Sequence, residues 1–192
     1  MYKERIIAKK SSILVNREGL MQEVRYALKN GLIGVVSDTH IPARASFLPS
    51  RLIGLLGGVD LILHAGDIEE ESVLDELRVL APVEAVAGNM DPLYLKMKLG
   101  VEKIVHLGEI SLGLIHGSGI PRGVADLVLQ KFNGHRIHGL VFGHSHVPFL
   151  ELRGDVLLLN PGSVGDPRRG SPPSCALLSI ESGKLRAEII SL

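Results

Sequence analysis

Five apolar runs in this chain stop in the same manner, at a small residue set beside Asp, Asn or His. The endings are Ser37-Asp38-Thr39-His40, Gly66-Asp67, Gly88-Asn89-Met90-Asp91, His116-Gly117 and Gly143-His144-Ser145-His146. A core would not choose these residues, so each run reads as a buried strand with a polar loop at its carboxyl end. In open α/β sheets those ends converge on one crevice, where ligands bind. The five loops are therefore expected to meet in space.

Taken singly, each ending has an ordinary explanation. Gly66-Asp67 and Gly88-Asn89 are common turn pairs, and Asp38 with His40 would pass as a turn and a surface histidine. His144 and His146 are more telling, because positions i and i+2 at a strand end can aim both rings into one pocket. Their coincidence at five strand ends is the informative observation.

The pattern around these endings alternates short β-branched runs with helical stretches, the signature of an α/β fold. Strands are expected at 32–36, 60–64 and 83–87, with helices at 49–56 and 70–80. Glu69, Glu70 and Glu71 favour the positive end of the second helix. After residue 100 strands are expected at 103–107, 110–115, 138–142, 147–153, 156–159, 175–180 and 185–190, with one helix at 122–132. These later strands read as a second, mostly antiparallel sheet. Two sheets face to face with helices outside would bury both apolar strand faces. Only Arg44–Arg51 and Asp91–Lys103 are long enough to form a lid.

Residues 1–30 differ in charge, with seven Lys/Arg against three Glu. Leu20, Val24, Ala27 and Leu28 recur at helical spacing, so this stretch reads as a basic, helical extension preceding a domain at 31–192. Over the whole chain 21 basic residues balance 21 acidic ones. A global pull toward nucleic acid or an anionic membrane is not expected, and an anion must be held locally. A single cysteine, Cys175, suits a reducing compartment and removes thiolate zinc clusters from consideration. With no secretory signal pattern and no apolar run of membrane length, the cytoplasm is the expected location.

The polar endings supply two carboxylates, four imidazoles and one carboxamide, an oxygen and nitrogen set without sulfur. It suits Mn, Fe, Zn, Co or Ni rather than calcium or copper(I). Seven donors exceed one tetrahedral shell and one Asp can bridge, so two divalent ions about 3.5 to 4 Å apart are the economical arrangement. Two dications against two aspartates leave a positive pocket fitted to the anionic oxygens of a phosphoryl group, which is the site of a phosphate-ester hydrolase.

The ordered series Asp-x-His, Gly-Asp, Gly-Asn-x-Asp, His-Gly and Gly-His-x-His resembles the calcineurin-like metallophosphoesterase superfamily, particularly its small single-domain bacterial and archaeal phosphodiesterase branch. Asn160-Pro161-Gly162-Ser163 resembles that branch as well, and the likeness covers residues 31–190. It implies a four-layer α/β/β/α sandwich of two mixed sheets with metal-binding loops at strand ends. By motif, Asp38, His40, Asp67 and His146 would hold one ion and Asp67, Asn89, His116 and His144 the other, with Asp67 as the bridge. Asp67, Asn89 and His116 are the residues expected to be catalytic, manganese is the favoured metal, and the implied reaction is attack by a metal-bound hydroxide on a phosphodiester. One departure stands out: many relatives carry a proton-donating histidine where this sequence has Met90, and a thioether cannot donate a proton.

Arg44, Arg122 and Asp91 are candidate substrate contacts. The arginines offer guanidinium forks to phosphate beside the motifs, and Asp91 is read equally as orienting a neighbour or holding its turn. His64 reads as a buried, hydrogen-bonded histidine rather than an eighth ligand. The expected partner is a small phosphate ester, with no membrane or nucleic acid, and the resemblance allows homo-oligomers. Two other functions compete: a phosphomonoesterase, and a metal-binding interaction scaffold of the retromer-subunit type, since a fold alone does not establish catalysis.

Overall fold

A five-stranded sheet in the computed structural model, which describes residues 9–16, 19–120 and 123–192, is built from the first half of the chain plus its last two strands. β3 (Gly31–Val36), β4 (Leu61–His64) and β5 (Val83–Ala85) run parallel, while β11 (Ser174–Glu181) and β12 (Lys184–Ser191) add to β3 antiparallel, in the order β12-β11-β3-β4-β5. Between the parallel strands lie α1 (Ser50–Leu56) and α2 (Glu71–Leu80), followed by α3 (Leu93–Leu99).

The second sheet has seven strands: β1 (Lys9–Asn16), β2 (Gly19–Tyr26), β6 (Glu102–Leu107), β7 (Ile110–Ile115), β8 (Gly139–Val141), β10 (Val156–Asn160) and β9 (Phe149–Arg153), in that spatial order. Between β7 and β8 the chain forms α4 (Val124–Lys131).

Three apolar layers hold this together. Val35, Leu61 and Leu63 of the first sheet meet Val24, Val105, Leu112 and Leu159 of the second in the central core. Outside the five-stranded sheet, Leu52, Leu56, Leu74, Leu77 and Leu95 press the first three helices onto Val36 and Ile62. Outside the seven-stranded sheet, Val124, Val128 and Phe132 cover Ile104, Leu140 and Leu158. The result is the expected four-layer sandwich of two mixed sheets. Its two sheets are also cross-linked by a buried polar group: the Tyr26 hydroxyl donates to Glu84 Oε1 at 2.6 Å and Lys103 Nζ to Glu84 Oε2 at 2.8 Å. Burial, reinforced by Glu84, pushes the Tyr26 hydroxyl above its ordinary pKa.

Three expectations need correction. The helical reading of residues 20–28 is wrong, because β1 and β2 form an antiparallel hairpin and β2 pairs in parallel with β6. Val24, Tyr26 and Leu28 enter the central core at a spacing of two while Ala27 is exposed. Pairing with a strand some eighty residues away overrides the local periodicity; residues 1–8 lie outside the described residues. Second, β11 and β12 join the first sheet rather than the second, and the seven-stranded sheet is evenly mixed, with three parallel and three antiparallel neighbour pairs. Third, Asp91–Lys103, read as a loop long enough to form a lid, contains α3. Pro92 opens that helix, Leu95 and Leu99 bury one side of it, and Gly100 at φ 71° ends it.

Candidate metal centre

All five polar endings lie at the same end of the sandwich, in loops that follow β3, β4, β5, β7 and β8. Their backbone is unusual. Asp38, His40, Asp67, His144 and His146 all have φ between 47° and 69°, the left-handed region that costs a side-chain-bearing residue of order 1 kcal/mol or more. The surrounding loops hold them there. Asp38 N–H donates to Gly66 O, His40 N–H to Asp67 O and Gly165 N–H to Asp38 O, each within 3.1 Å. The Ser163 hydroxyl also donates to Asp38 O at 2.8 Å. Asn160 braces the last loop, its amide donating to Gly143 O and Ser145 Oγ. The Asn160-Pro161-Gly162-Ser163 segment therefore supports the site without entering it.

Asp38, His40, Asp67 and His146 are buried, and one ligand atom from each lies within 4.8 Å of all the others. His116 adjoins them, with Nε2 at 3.2 Å from Asp67 Oδ2 and 4.0 Å from Asp38 Oδ1. Asn89 and His144 form a separate pair on the open side, Oδ1 to Nδ1 at 3.0 Å, with His144 Nε2 at 2.8 Å from Gly119 O.

Three imidazoles share one arrangement. Nδ1 of His40 faces Glu69 Oε1 at 2.8 Å, Nδ1 of His116 faces Ala65 O at 2.7 Å, and Nδ1 of His146 faces the Asp166 carbonyl. Each acceptor takes the Nδ1–H and turns Nε2 toward the aspartates, so that loss of the Nε2 proton frees a lone pair for a metal, the usual support of a metal-ligating histidine. Asp38 Oδ1 and His116 Nε2 are buried without a hydrogen-bond partner, whereas buried polar atoms are ordinarily paired. A cation among these oxygen and nitrogen donors would satisfy both. The residues present thus fit a divalent metal.

Electrostatics agree. Burial alone would raise Asp38 and Asp67, yet both carboxyls are held below their ordinary pKa by the imidazoles against them, Asp38 by His146 and His40 and Asp67 by His116. Burial would lower His40 and His116, but Asp38 and Glu69 lift His40 to about 9 and Asp67 lifts His116. His64 is different. Full burial drives it down to about 3, so it is neutral, accepting Gly66 N–H at Nδ1 and meeting Thr39 Oγ1 with Nε2. It is a neutral brace beneath the ligand loops, as expected.

A pH dependence follows. His40 is raised from 6.5 to about 9 in the metal-free fold, so its contribution to stability is fully present below pH 6.5 and is lost as pH rises through about 9. A metal must displace that proton. Calorimetric Mn²⁺ titrations at neutral pH, in buffers of different ionisation enthalpy, are expected to show about one or more protons released per chain. Metal affinity should climb with pH until about 9. Buffer-independent heats and a flat pH profile would contradict this charge assignment.

Asp91, expected as a substrate contact, has another role. Its buried carboxylate accepts four backbone amides: Asp67 and Gly88 at Oδ2, Ile68 and Glu69 at Oδ1, all within 3.1 Å. Both oxygens are spent on the turn that presents Asp67. Arg44 is exposed and lines an open depression of about 180 Å³ with His40, Asp67, Asn89 and Met90. Arg168 lines it too, tied to Asp166 at 2.9 Å. Arg122 lies outside the described residues. Sequence reasoning missed Glu69 and Asp166 as orienting groups. Glu69 stands two residues after Asp67 and could have been suspected, but Asp166 carries no local signal.

The fold and the site together define a metal-dependent phosphoesterase class. A family model for the calcineurin-like phosphoesterase superfamily domain matches residues 32–183, and the chain belongs to that superfamily. It is 44% identical over 165 residues to a probable metallophosphoesterase of Methanothermobacter thermautotrophicus, spanning 83% of this chain and 91% of that protein. A probable metallophosphoesterase of Methanocaldococcus jannaschii is 42% identical over 164 residues, 84% of this chain and 81% of that protein. Among solved structures, Vps29 of Chaetomium thermophilum superposes with a TM-score of 0.69 at 23% identity, covering 84% of this chain and 96% of that one. That likeness concerns the fold. No helix among the described residues is long and apolar enough to cross a membrane.

Proposed function

We propose that this protein is a phosphodiesterase that works with two divalent ions, manganese being the favoured metal. The observation that carries the reading is the position of Asp67: its Oδ2 lies 3.6 Å from His40 Nε2 on one side and 3.2 Å from His116 Nε2 on the other. One carboxylate would then be shared by two ions, Asp38, His40 and His146 completing the holders of the first and His116, Asn89 and His144 those of the second. Bound divalent ions would supply an activated water and positive charge against the phosphoryl oxygens. The chain's own residues do the rest. Asp91 and His64 hold the ligand loops, Glu69 and Asp166 set the imidazole tautomers, and Arg44 stands at the mouth where a guanidinium can meet a phosphoryl oxygen. The lone cysteine fits a cytoplasmic protein.

Met90 projects into the open depression and is 59% exposed, while its N–H donates to Asp67 Oδ1 at 2.8 Å. The site therefore offers no side-chain acid at that position and favours well-activated leaving groups. Met90→His should accelerate diesters with poor leaving groups about 100-fold or more beyond aryl diesters, the lower end of the scale on which general acids act. Equal effects on both substrates would sink the proton-donor explanation.

The reading is tested with Mn²⁺-loaded protein, comparing bis(p-nitrophenyl) phosphate with p-nitrophenyl phosphate. Diester turnover is expected to exceed monoester turnover by about tenfold or more; the reverse ratio assigns a phosphomonoesterase. A second reading, an interaction scaffold, draws on the exposed apolar side chains of Met90, Leu93, Tyr94 and Met97 beside the site. It gains the field if neither ester is turned over.

A further inference from the structure

A second and larger hollow begins where the metal centre ends. Asn89 and His116 both line it, so it is continuous with the donor cluster, and it runs between α3 and α4 with a volume of about 740 Å³. A phosphoryl group needs nothing of that size, and the depression of about 180 Å³ over His40 and Asp67 suffices for it. The hollow is built for something organic. Ile115 and Val128 form a buried apolar floor, while Val101 and Leu127 line its open part although they are 55% and 45% exposed. Two apolar walls left in water beside a site for a charged group are the pattern of a ligand groove.

The charges suit a limb attached to an anion. Lys96 and Lys131 line the groove against one carboxylate, Glu102. Lys96 Nζ donates to Asn89 O at 2.9 Å, which fixes an ammonium group at the junction of groove and metal centre, where the bridging oxygen of a diester would pass. Gln130 and Ser118 add hydrogen-bonding capacity. Aliphatic walls bordered by hydrogen-bonding side chains match a flat ring with a polar edge.

We propose that the groove between α3 and α4 is the subsite for one organic limb of the substrate, of nucleoside size, packed on Val101, Ile115, Leu127 and Val128 and steered by Lys96 and Lys131. This rests on the phosphodiesterase reading and specifies its substrate class: a diester with one bulky, ring-bearing limb rather than two small ones. Phosphate enters the metal centre, and the ring lies along α4.

Leu127 and Val101 are aliphatic and belong to neither set of metal donors, so Leu127→Trp and Val101→Trp fill the groove without removing a ligand. Two substrates of Mn²⁺-loaded protein are compared: thymidine 5′-(p-nitrophenyl) phosphate, with a nucleoside limb, and methyl p-nitrophenyl phosphate, with a small one. Each variant is expected to lower kcat/KM for the thymidine ester about tenfold, mostly through KM, and to change the methyl ester less than about twofold. Equal losses on both esters, or no loss on either, would overturn the groove assignment. If the wild-type protein hydrolyses neither ester, the phosphodiesterase reading fails and the groove is judged by equilibrium dialysis of the thymidine ester. Binding weakened about tenfold by Leu127→Trp retains the groove as a binding site, and absent or unaltered binding removes it.

Discussion

Asp91→Ala is expected to destabilise the protein by about 3 to 5 kcal/mol and to weaken Mn²⁺ binding by about 10- to 100-fold. The size of the effect follows from what the side chain does. One buried carboxylate closes the Asp67–Glu69 turn and reaches back to Gly88, taking four amide hydrogens with its two oxygens. Alanine leaves four donors unpaired, each costing of order 1 kcal/mol or more when water cannot reach it. Some of that is offset because a buried charge is removed at the same time. Asp91→Asn should fall between, since one oxygen becomes an NH₂ group facing donors. Urea unfolding of the metal-free protein and a Mn²⁺ titration check the two parts separately. A loss below about 1 kcal/mol with unchanged metal affinity would show that the turn does not depend on this carboxylate.

Gly88→Ala should disable the centre without unfolding the sandwich. A Cβ at residue 88 would stand 2.1 Å from Asp67 Oδ1 and 2.5 Å from Asp67 N. Because the second contact is with backbone, a side-chain rotation cannot relieve it. The Asp67 carboxylate must move, and its bond from Met90 N–H must break. Misplacing such a ligand by about 1 Å costs about 100-fold in rate, and Mn²⁺ affinity should fall similarly. Far-ultraviolet circular dichroism is expected to stay that of the parent, because the clash is confined to loop ends. Parental Mn²⁺ affinity in this variant would contradict the packing described around Asp67.

What the sequence disclosed and what it concealed divide along a physical line. The ligand loops were legible because Asp38, Asp67, His116, His144 and His146 interrupt apolar strands, where burial makes polar residues conspicuous. The βαβαβ half was legible for a related reason: α1 and α2 connect neighbouring parallel strands, so local pattern and tertiary pairing agree. Disagreement arose where the pairing partner is remote. β2 and the residues just after it carry Val24 and Leu28 at a spacing that also fits a helix, and only the register of β2 with Lys103–Leu107 decides for a strand. β11 and β12 read correctly as strands, yet no local feature says that Ala176 pairs with Val35.

The supporting groups around the metal centre were hidden for another reason. Glu69 acts on His40 through its carboxylate and Asp166 on His146 through its backbone carbonyl; a loop carboxylate carries no mark of such a contact, and a backbone contact leaves none in the residue type. Asp91 shows the opposite case. Its position beside Asn89 drew attention correctly, but residue type cannot tell a carboxylate facing substrate from one consumed by amides. Met90 was legible as a chemical fact, since a thioether has no proton to give, and it lines the open depression beside Asp67 and Asn89 at 59% exposure.

The central claim is that Asp67 serves two ions which together support phosphodiester hydrolysis. The most direct measurement strips the protein of metal, resupplies Mn²⁺, Ni²⁺ or Zn²⁺, counts ions bound per chain and follows bis(p-nitrophenyl) phosphate, with Asp67→Ala alongside. Two ions per chain, activity restored by metal, and a fall of about 1,000-fold or more in Asp67→Ala are the expected results. A parent protein that binds no divalent ion, or an Asp67→Ala variant as active as the parent, would contradict it.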